Sequence, residues 1–243
     1  MFPDFNCDMG EGLGNDAALM PFISSANIAC GFHAGSGDTI NRTIDLAIKY
    51  GVHVGAHPSF RDKENFGRKE MQLSYDKIYA LVMEQLIRVD LIAREKGVVM
   101  HHVKPHGALY NMAAKDPKLA RTIATAVQDF NEELILYGLS GSCMISEAMA
   151  IGLQAYNEVF ADRTYNDDGS LTSRTLPGAL IQQVDVAVQQ VMQFITEGTV
   201  TSMNGKKIAV EVDTICLHGD HAHALEFAKA IFSRLKRNAA SSI

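Results

Sequence analysis

A chain of 243 residues, of which 47% are hydrophobic and 21% are charged, has the composition of a globular protein that can enclose a large core. Its net charge of −6 and its lack of a Lys/Arg stripe disfavour a nucleic-acid partner, because phosphate binding needs a basic face. Its four cysteines form no C-x-x-C pair, which argues against a disulfide scaffold and a zinc knuckle. We therefore expect one domain over residues 1–243 that acts on a small molecule.

Residues 1–10 contain two aspartates and have neither the basic segment nor the apolar segment of a secretion signal. No apolar run elsewhere in the sequence is long enough to cross a bilayer. The sequence therefore predicts a cytoplasmic protein without a membrane partner.

Short apolar segments alternate with longer amphipathic segments along the chain, which is the pattern of β-α-β units with a parallel sheet. The predicted strands are residues 2–7, 26–30, 52–56, 98–103, 134–137, 155–161 and 214–217. Helices are predicted at residues 38–50, 75–95 and 185–196, and from Asp116-Pro117 onward, each with a cap residue or a glycine near one end. Asn204-Gly205 predicts a hairpin at residues 199–210, which would decorate the barrel rim.

Two predicted connections, residues 57–73 and 162–177, are longer than ordinary links between strands and helices. Loops of this length usually carry function. These two contain arginines that would give an acidic protein a locally positive mouth for an anionic substrate: Arg61, Arg68, Arg163 and Arg174.

Polar and ionisable residues accumulate at the ends of the predicted strands. In a parallel barrel or a doubly wound sheet, the carboxyl ends of the strands meet at one face, so residues distant in sequence become neighbours there. The sequence therefore predicts one site built from several strand ends. Its candidate members are Asn6, Asp8, His33, His53, His57, Lys104, His106, Asp162, Arg163, His218 and Asp220.

Asp8, His33 and His57 have the composition of a divalent metal site, with one carboxylate and two imidazoles from three neighbouring strands. The same residues could act without a metal, with Asp8 or His57 as a general base and another imidazole as an orienting group. Both hypotheses stay open on the residues, and we adopt the metal-free one. His221 and His223 are expected to point apart on the first turn of the last helix, so they add no pair of ligands.

Lys104 and His106 are two residues apart, so in an extended segment both side chains face the same site. Lys104 would hold a carboxylate or a phosphate there. The sequence contains neither a P-loop nor a G-x-G-x-x-G spacing, so no motif predicts an ATP site in this chain.

Six blocks carry a resemblance to a known family: residues 4–11 (DFNCDMGE), 27–35 (NIACGFHAG), 54–59 (VGAHPS), 103–110 (VKPHGALY), 158–163 (EVFADR, with Tyr165) and 216–220 (CLHGD). They resemble the blocks of the family of bacterial 5-oxoprolinase A subunits, formerly called lactam-utilisation proteins. The resemblance implies an α/β fold, a seven-stranded β/α barrel of the glycoside hydrolase and deacetylase type. It also implies a hydrolase that works with two partner subunits, B and C, in the ATP-dependent opening of 5-oxoproline to L-glutamate.

The resemblance also suggests roles for the strand-end residues. Asp8 or His57 would activate water, and Lys104 would hold the substrate carboxylate or a transferred phosphate. The imidazoles of His33 and His106 would donate to developing negative charge. ATP would be a co-substrate bound by the partner subunits, and no resident metal is assigned. Substrate binding is assigned to Asn6, Glu11, Asp162, Arg163, His218 and Asp220.

A five-membered lactam resists hydrolysis because its closure is intramolecular, with an effective molarity worth up to ~7–11 kcal/mol in well-oriented cases. Phosphorylation of the lactam carbonyl oxygen by ATP would create an activated intermediate that water could attack at the same carbon. Two other functions stay open: a metal-dependent amidohydrolase such as a sugar N-deacetylase, and a non-catalytic subunit that presents 5-oxoproline to its partners.

Overall fold

The computed structural model describes residues 3–220 and 223–241, with side chains described as far as residue 236. Seven of its strands close into a parallel barrel in chain order, the last pairing with the first. This confirms the predicted barrel. The barrel strands are β1 (Asp4–Met9), β2 (Ser25–Ala29), β3 (His53–His57), β4 (His102–Val103), β5 (Ile135–Leu139), β6 (Ala155–Phe160) and β9 (Thr214–Leu217).

Helices connect the strands and cover the outside of the barrel in the described residues. A short 3-10 helix, Met20–Phe22, follows the first of them. The α-helices are α1 (Asp16–Leu19), α2 (Gly37–Tyr50), α3 (Tyr75–Glu95), α4 (Gly107–Ala113), α5 (Pro117–Phe130), α6 (Cys143–Ala150), α7 (Val184–Glu197) and α8 (Ala224–Ser241).

Cap residues explain why the helix bounds follow the sequence signals. The Ser36 hydroxyl accepts a hydrogen bond from the Thr39 amide at the start of α2, and Gly51 ends that helix with a left-handed φ of 68°. The Asp116 carboxylate accepts from two amides at the start of α5, where Pro117 is the first helical residue. The observed bounds of α2 and the observed start of α5 lie within one residue of the predicted ones.

The observed bounds of the barrel strands lie within two residues of the predicted ones, except at the start of the fourth strand. Only the last two residues of the predicted strand 98–103 pair in the barrel, and Val99 is 77% exposed. His53 lies at the amino end of β3, where its ring is exposed and stacks on His101 with centroids 4.2 Å apart. The placement of His53 among the site residues was therefore wrong, because it lies at the opposite end of the barrel.

The apolar core lies between the sheet and the helices. In β1, Phe5, Cys7 and Met9 alternate with Asn6 and Asp8, so the two sets face opposite sides of the sheet. The apolar set belongs to the main core cluster, together with buried side chains of α3 and α5. The polar set therefore faces the barrel interior.

Two loops follow the carboxyl ends of their strands, residues 58–74 after β3 and residues 161–183 after β6. An antiparallel hairpin of β7 (Thr199–Thr201) and β8 (Lys207–Ala209) lies against the second loop, where the Met203 amide donates to the Tyr165 carbonyl at 2.9 Å. Among the described helices, none combines the length and apolar character needed to cross a lipid bilayer.

Candidate active site

One cavity of about 460 Å³ opens at the carboxyl ends of the barrel strands. Asp8 of β1, His57 at the end of β3, and Lys104 and His106 directly after β4 line it. His33, the fifth predicted catalytic residue, follows β2 and does not line the cavity. The structure therefore brings four of the five predicted catalytic residues to one cavity.

Lys104 is buried at the floor of this cavity and is surrounded by acceptors. Its Nζ lies 3.0 Å from Asp8 Oδ1, 2.8 Å from Glu158 Oε1 and 3.2 Å from Asn6 Oδ1. Cys216 Sγ is a fourth neighbour, at 2.9 Å. Three ammonium protons already have these partners, so Lys104 has none left for a substrate anion. Its predicted role as the anion-binding group does not fit this position.

Asp8 and Lys104 hold each other in their charged forms. Burial alone would raise the pKa of Asp8, but the charges of His57 and Lys104 outweigh it and hold that pKa well below its ordinary value. Burial would likewise lower the pKa of Lys104, yet Asp8, Cys216 and Glu158 raise it well above its usual range. The cavity floor therefore contains an ionised carboxylate.

Two backbone carbonyls fix the tautomers of His57 and His106. His57 Nδ1 donates to the Lys104 carbonyl oxygen at 2.6 Å, and His106 Nε2 donates to the Phe66 carbonyl oxygen at 3.0 Å. The other nitrogens, His57 Nε2 and His106 Nδ1, face each other at 2.9 Å. Two neutral rings would oppose their lone pairs there, so a positive charge, either a proton or a metal ion, has to lie at this contact.

The first long loop orients His106. Phe66 has a φ of 55°, the one positive value among the described non-glycine residues, and this conformation directs its carbonyl at the ring. A Cβ on the next residue, Gly67, would lie 2.2 Å from Ser59 Oγ and 2.8 Å from His33 Cβ. Glycine is therefore required for the loop to approach the histidines this closely.

Glu11 and His33 are buried behind the two facing histidines. Glu11 Oε1 lies 3.5 Å from His33 Nε2 and 3.7 Å from His106 Nδ1, yet within the described chain neither Glu11 Oε1 nor either nitrogen of His33 forms a hydrogen bond. Burial lowers the pKa of His33 to about 3, and burial and the charge of Asp8 raise the pKa of Glu11 well above its usual range. Unpaired polar atoms of this kind are rare in protein interiors.

Two groups of side chains in the described residues have donor atoms close enough to hold a metal ion. The first is Glu11, His33, His57 and His106, and the second is Asp8, Cys216 and His218. In the second group, the Lys104 ammonium already contacts both Asp8 and Cys216. The first group has Glu11 in place of the Asp8 that the sequence suggested, with His106 as an added donor.

Two of the residues predicted to bind substrate line the cavity, Arg163 and His218. The Arg163 guanidinium donates to two carbonyls of its own loop, and His218 Nδ1 donates to Asp162 at 3.0 Å. Both residues therefore also hold the cavity wall in place. Four other predicted substrate-binding residues do not line the cavity: Asn6, Glu11, Asp162 and Asp220.

Arg68 and Arg174 line the mouth of the cavity, one from each long loop. Both pair with Asp220, Arg174 Nη1 at 3.4 Å and Arg68 more closely.

Of the two histidines expected on the last helix, His221 lies outside the described residues and His223 is exposed just before α8, 3.5 Å from Glu226.

Sequence reasoning missed the polar residues inside the barrel. Glu158 accepts from Asn6 Nδ2 at 3.0 Å and from the Tyr110 hydroxyl at 2.7 Å, in addition to its contact with Lys104. Asn27 donates to Asp8 Oδ1 at 2.9 Å. Glu158 and Asn27 lie within predicted strands that are otherwise mostly apolar, and a polar residue in such a strand was the available signal.

The closed parallel barrel, with its cavity and ionisable side chains at the strand carboxyl ends, places this chain among β/α barrels that carry a functional site at that face. The chain belongs to the LamB/YcsF family, whose model matches residues 3–242. It is 49% identical over 240 residues to the 5-oxoprolinase A subunit of Bordetella parapertussis, with 97% of this chain and 95% of the relative covered. A second relative of that name, from Tolumonas auensis, is 50% identical over 237 residues, with 96% and 94% covered.

Solved structures support both the family membership and the fold. The crystal structure of the lactam utilization protein from Thermus thermophilus is 40% identical, covers 98% of each chain and superposes with a TM-score of 0.92. A GH113 β-1,4-mannanase is similar in fold alone, with 12% identity, 97% and 99% of the chains covered and a TM-score of 0.52. The family resemblance and the seven-stranded β/α barrel predicted from the sequence are confirmed.

Proposed function

We propose that this chain opens the activated lactam ring in an ATP-dependent 5-oxoprolinase that also contains two partner subunits, B and C. The observation that carries the proposal is the ionised Asp8 carboxylate, which lines a cavity beside the facing nitrogens of His57 and His106. The names of the relatives, 5-oxoprolinase A subunit and lactam utilization protein, support 5-oxoproline as the substrate.

The proposed reaction transfers the terminal phosphoryl group of ATP to the lactam carbonyl oxygen and releases ADP. Water then adds to the same carbon, and the bond from that carbon to the ring nitrogen breaks, with a proton moving to the nitrogen to give the amine. This leaves an acyl phosphate, which a second water hydrolyses to glutamate and phosphate. The ring opening, rather than the phosphoryl transfer, is the step we assign to this chain.

Asp8 accepts a proton from the attacking water in this mechanism. Its Oδ1 is bonded to Lys104 and Asn27, while Oδ2 lies 3.3 Å from His57 Nε2 on the cavity side. Lys104 acts as a positioning residue that keeps Asp8 ionised. The positive charge required between His57 and His106 stabilises negative charge that develops on the oxygen of the reacting carbon.

The cavity and the sequence support this division of labour. A volume of about 460 Å³ accommodates a small substrate such as 5-oxoproline. Arg68 and Arg174 at the mouth supply positive charge for the substrate carboxylate or a phosphoryl group. The sequence has no nucleotide-binding motif, which supports phosphorylation by the partner subunits.

Reconstitution with the two partner subunits, ATP and 5-oxoproline tests the proposal through glutamate release. We expect Asp8→Asn to lower glutamate formation by about 10²–10⁴-fold, the range for loss of a general base. Asp76→Asn, an exposed carboxylate change on the first turn of α3, is the matched control and should retain wild-type activity. Full activity in both Asp8→Asn and His57→Ala would instead identify a non-catalytic subunit. ATP hydrolysis by the isolated chain in the presence of 5-oxoproline would contradict the division of labour.

A further inference from the structure

We propose that Glu11, His33, His57 and His106 bind one divalent transition-metal ion in the wall of the cavity. The four donor atoms of these buried residues lie within 4.8 Å of one another. The use of the ion in ring opening rests on the proposed function, whereas its binding can be measured without any assay of activity.

The contact between His57 and His106 requires a cation. Since the carbonyls of Lys104 and Phe66 accept from the outer nitrogens of these rings, both inner nitrogens present lone pairs at 2.9 Å from each other. A cation at this contact removes the conflict. Carbonyls that accept from the outer nitrogen are also the usual partners of metal-ligating histidines, whose rings they orient.

The unpaired atoms of Glu11 and His33 favour a metal ion over a proton. A proton shared by His57 and His106 would leave Glu11 Oε1 and both nitrogens of His33 buried without hydrogen bonds. A metal ion bound by all four side chains gives Glu11 Oε1 and one nitrogen of His33 a partner.

The balance of charge in the interior also favours a divalent cation. The Lys104 ammonium pairs with the carboxylates of Asp8 and Glu158, whereas the ion-pair contacts of Glu11 within the described residues are with His33 and His106. A divalent cation beside Glu11 would balance the two negative charges that Lys104 does not.

Spacing and donor type indicate the class of metal. Nitrogen and oxygen ligands bind zinc at about 2.0–2.2 Å, so atoms that share one ion lie roughly 3–3.5 Å apart. The distances of Glu11 Oε1 from His33 Nε2 and His106 Nδ1 are 3.5 and 3.7 Å. Three imidazoles and one carboxylate suit zinc, iron, cobalt or manganese better than magnesium or calcium.

Metal binding also requires a local rearrangement. The His33 ring now stacks on His106, with centroids 4.0 Å apart and planes 7° from parallel. Because a metal bond lies in the plane of an imidazole, His33 has to rotate out of this stack. Within the described chain, neither of its nitrogens forms a hydrogen bond that would hold it there.

The test uses the full chain, stripped of metal by a chelator and titrated with Zn²⁺ or Co²⁺. We expect one equivalent to bind, with a Co²⁺ visible spectrum typical of nitrogen and oxygen ligands and a rise in melting temperature on Zn²⁺ addition. Glu11→Gln and His33→Asn should each weaken binding at least about 100-fold, since changes outside the first ligand shell already weaken it about 10–100-fold. His53→Asn, which alters a stacked histidine at the opposite end of the barrel, is the matched control and should bind like the wild type.

A wild-type chain that binds neither ion would overturn the proposal and favour a shared proton, whatever the folding of the variants. Unchanged binding in folded Glu11→Gln and His33→Asn proteins would also overturn it. Assay of the three-subunit enzyme separates this inference from the proposed function. Glutamate formation by fully metal-free enzyme would contradict a role for the metal in ring opening and support the proposed function. Tight Zn²⁺ binding by an enzyme with no activity on 5-oxoproline would support the metal site and contradict the proposed function.

Discussion

The two faces of the barrel sheet are built from opposite kinds of residue. Toward the helices, the strands present apolar side chains such as Ile28, Val54 and Ile215, which join the core cluster. Toward the barrel axis, they present Asn6, Glu158 and other polar residues joined by hydrogen bonds. The outer layer stabilises the fold by burial, whereas the interior holds charged groups in fixed positions for the cavity above.

We expect the largest loss of stability from a change in the polar interior of the barrel. Lys104→Met leaves Asp8 and Glu158 buried without their ammonium, and removal of one partner from a buried ion pair costs about 3–5 kcal/mol. Urea denaturation of the isolated chain measures the free energy of unfolding. Lys96→Met, which removes an exposed pair with Asp45, is the matched control and should cost about 0–1 kcal/mol. Equal losses of unfolding free energy from the two changes would show that the interior charges contribute no more to stability than the surface charges do.

A smaller effect is expected at the cavity mouth, where charge attracts substrate without stabilising the interior. Arg174→Gln should raise KM for 5-oxoproline about tenfold, equivalent to about 1.4 kcal/mol, and leave kcat within a factor of a few. Steady-state kinetics of the three-subunit enzyme provides the measurement. Arg61→Gln, which breaks an exposed pair with Glu84 outside the cavity, should leave KM unchanged. If the two variants behave alike, the mouth has no role in substrate recognition.

The smallest effect is expected for a conservative change in the apolar layer. Ile123→Val removes one methylene from a fully buried side chain of α5 and should cost about 0.5–1.5 kcal/mol. The kcat of the folded enzyme should not change, because Ile123 contributes to the outer layer alone. Denaturation and kinetics on one preparation check both expectations, and a large fall in kcat would show that the two regions are not separable.

The sequence predicted the outer layer better than the interior. Caps and glycines locate both ends of α2, α3 and α7, and the start of α5, to within one residue, because these signals act over one turn of the chain. The predicted fourth strand wrongly included Val98–Met100, because these residues are apolar like a buried strand although they precede it. The strand-end rule brought Asp8, His57, Lys104 and His106 together correctly, because parallel strands converge at one face.

The contacts of the site residues could not be predicted. Lys104 was expected to meet a substrate anion, but Glu158, 54 positions away in the chain, supplies a partner that only barrel closure reveals. The tautomer of His57 depends on the Lys104 carbonyl, and that of His106 depends on the Phe66 carbonyl. The directions of these carbonyls follow from backbone conformation rather than residue type. Polar residues at every second position of a buried strand, as in Asn6 and Asp8, were the one sequence signal for a polar interior.

Hydroxylamine trapping in the three-subunit enzyme tests most directly whether Asp8 opens a ring that its partners have activated. In the proposed mechanism hydroxylamine captures the acyl phosphate, which forms after ring opening, so the hydroxamate reports ring opening whereas ADP release reports activation. With Asp8→Asn, we expect ADP release to continue while both glutamate and trapped hydroxamate per ADP fall at least about 100-fold, the lower end of general-base effects. A ratio of glutamate to ADP equal to that of the wild type would contradict the proposed role of Asp8.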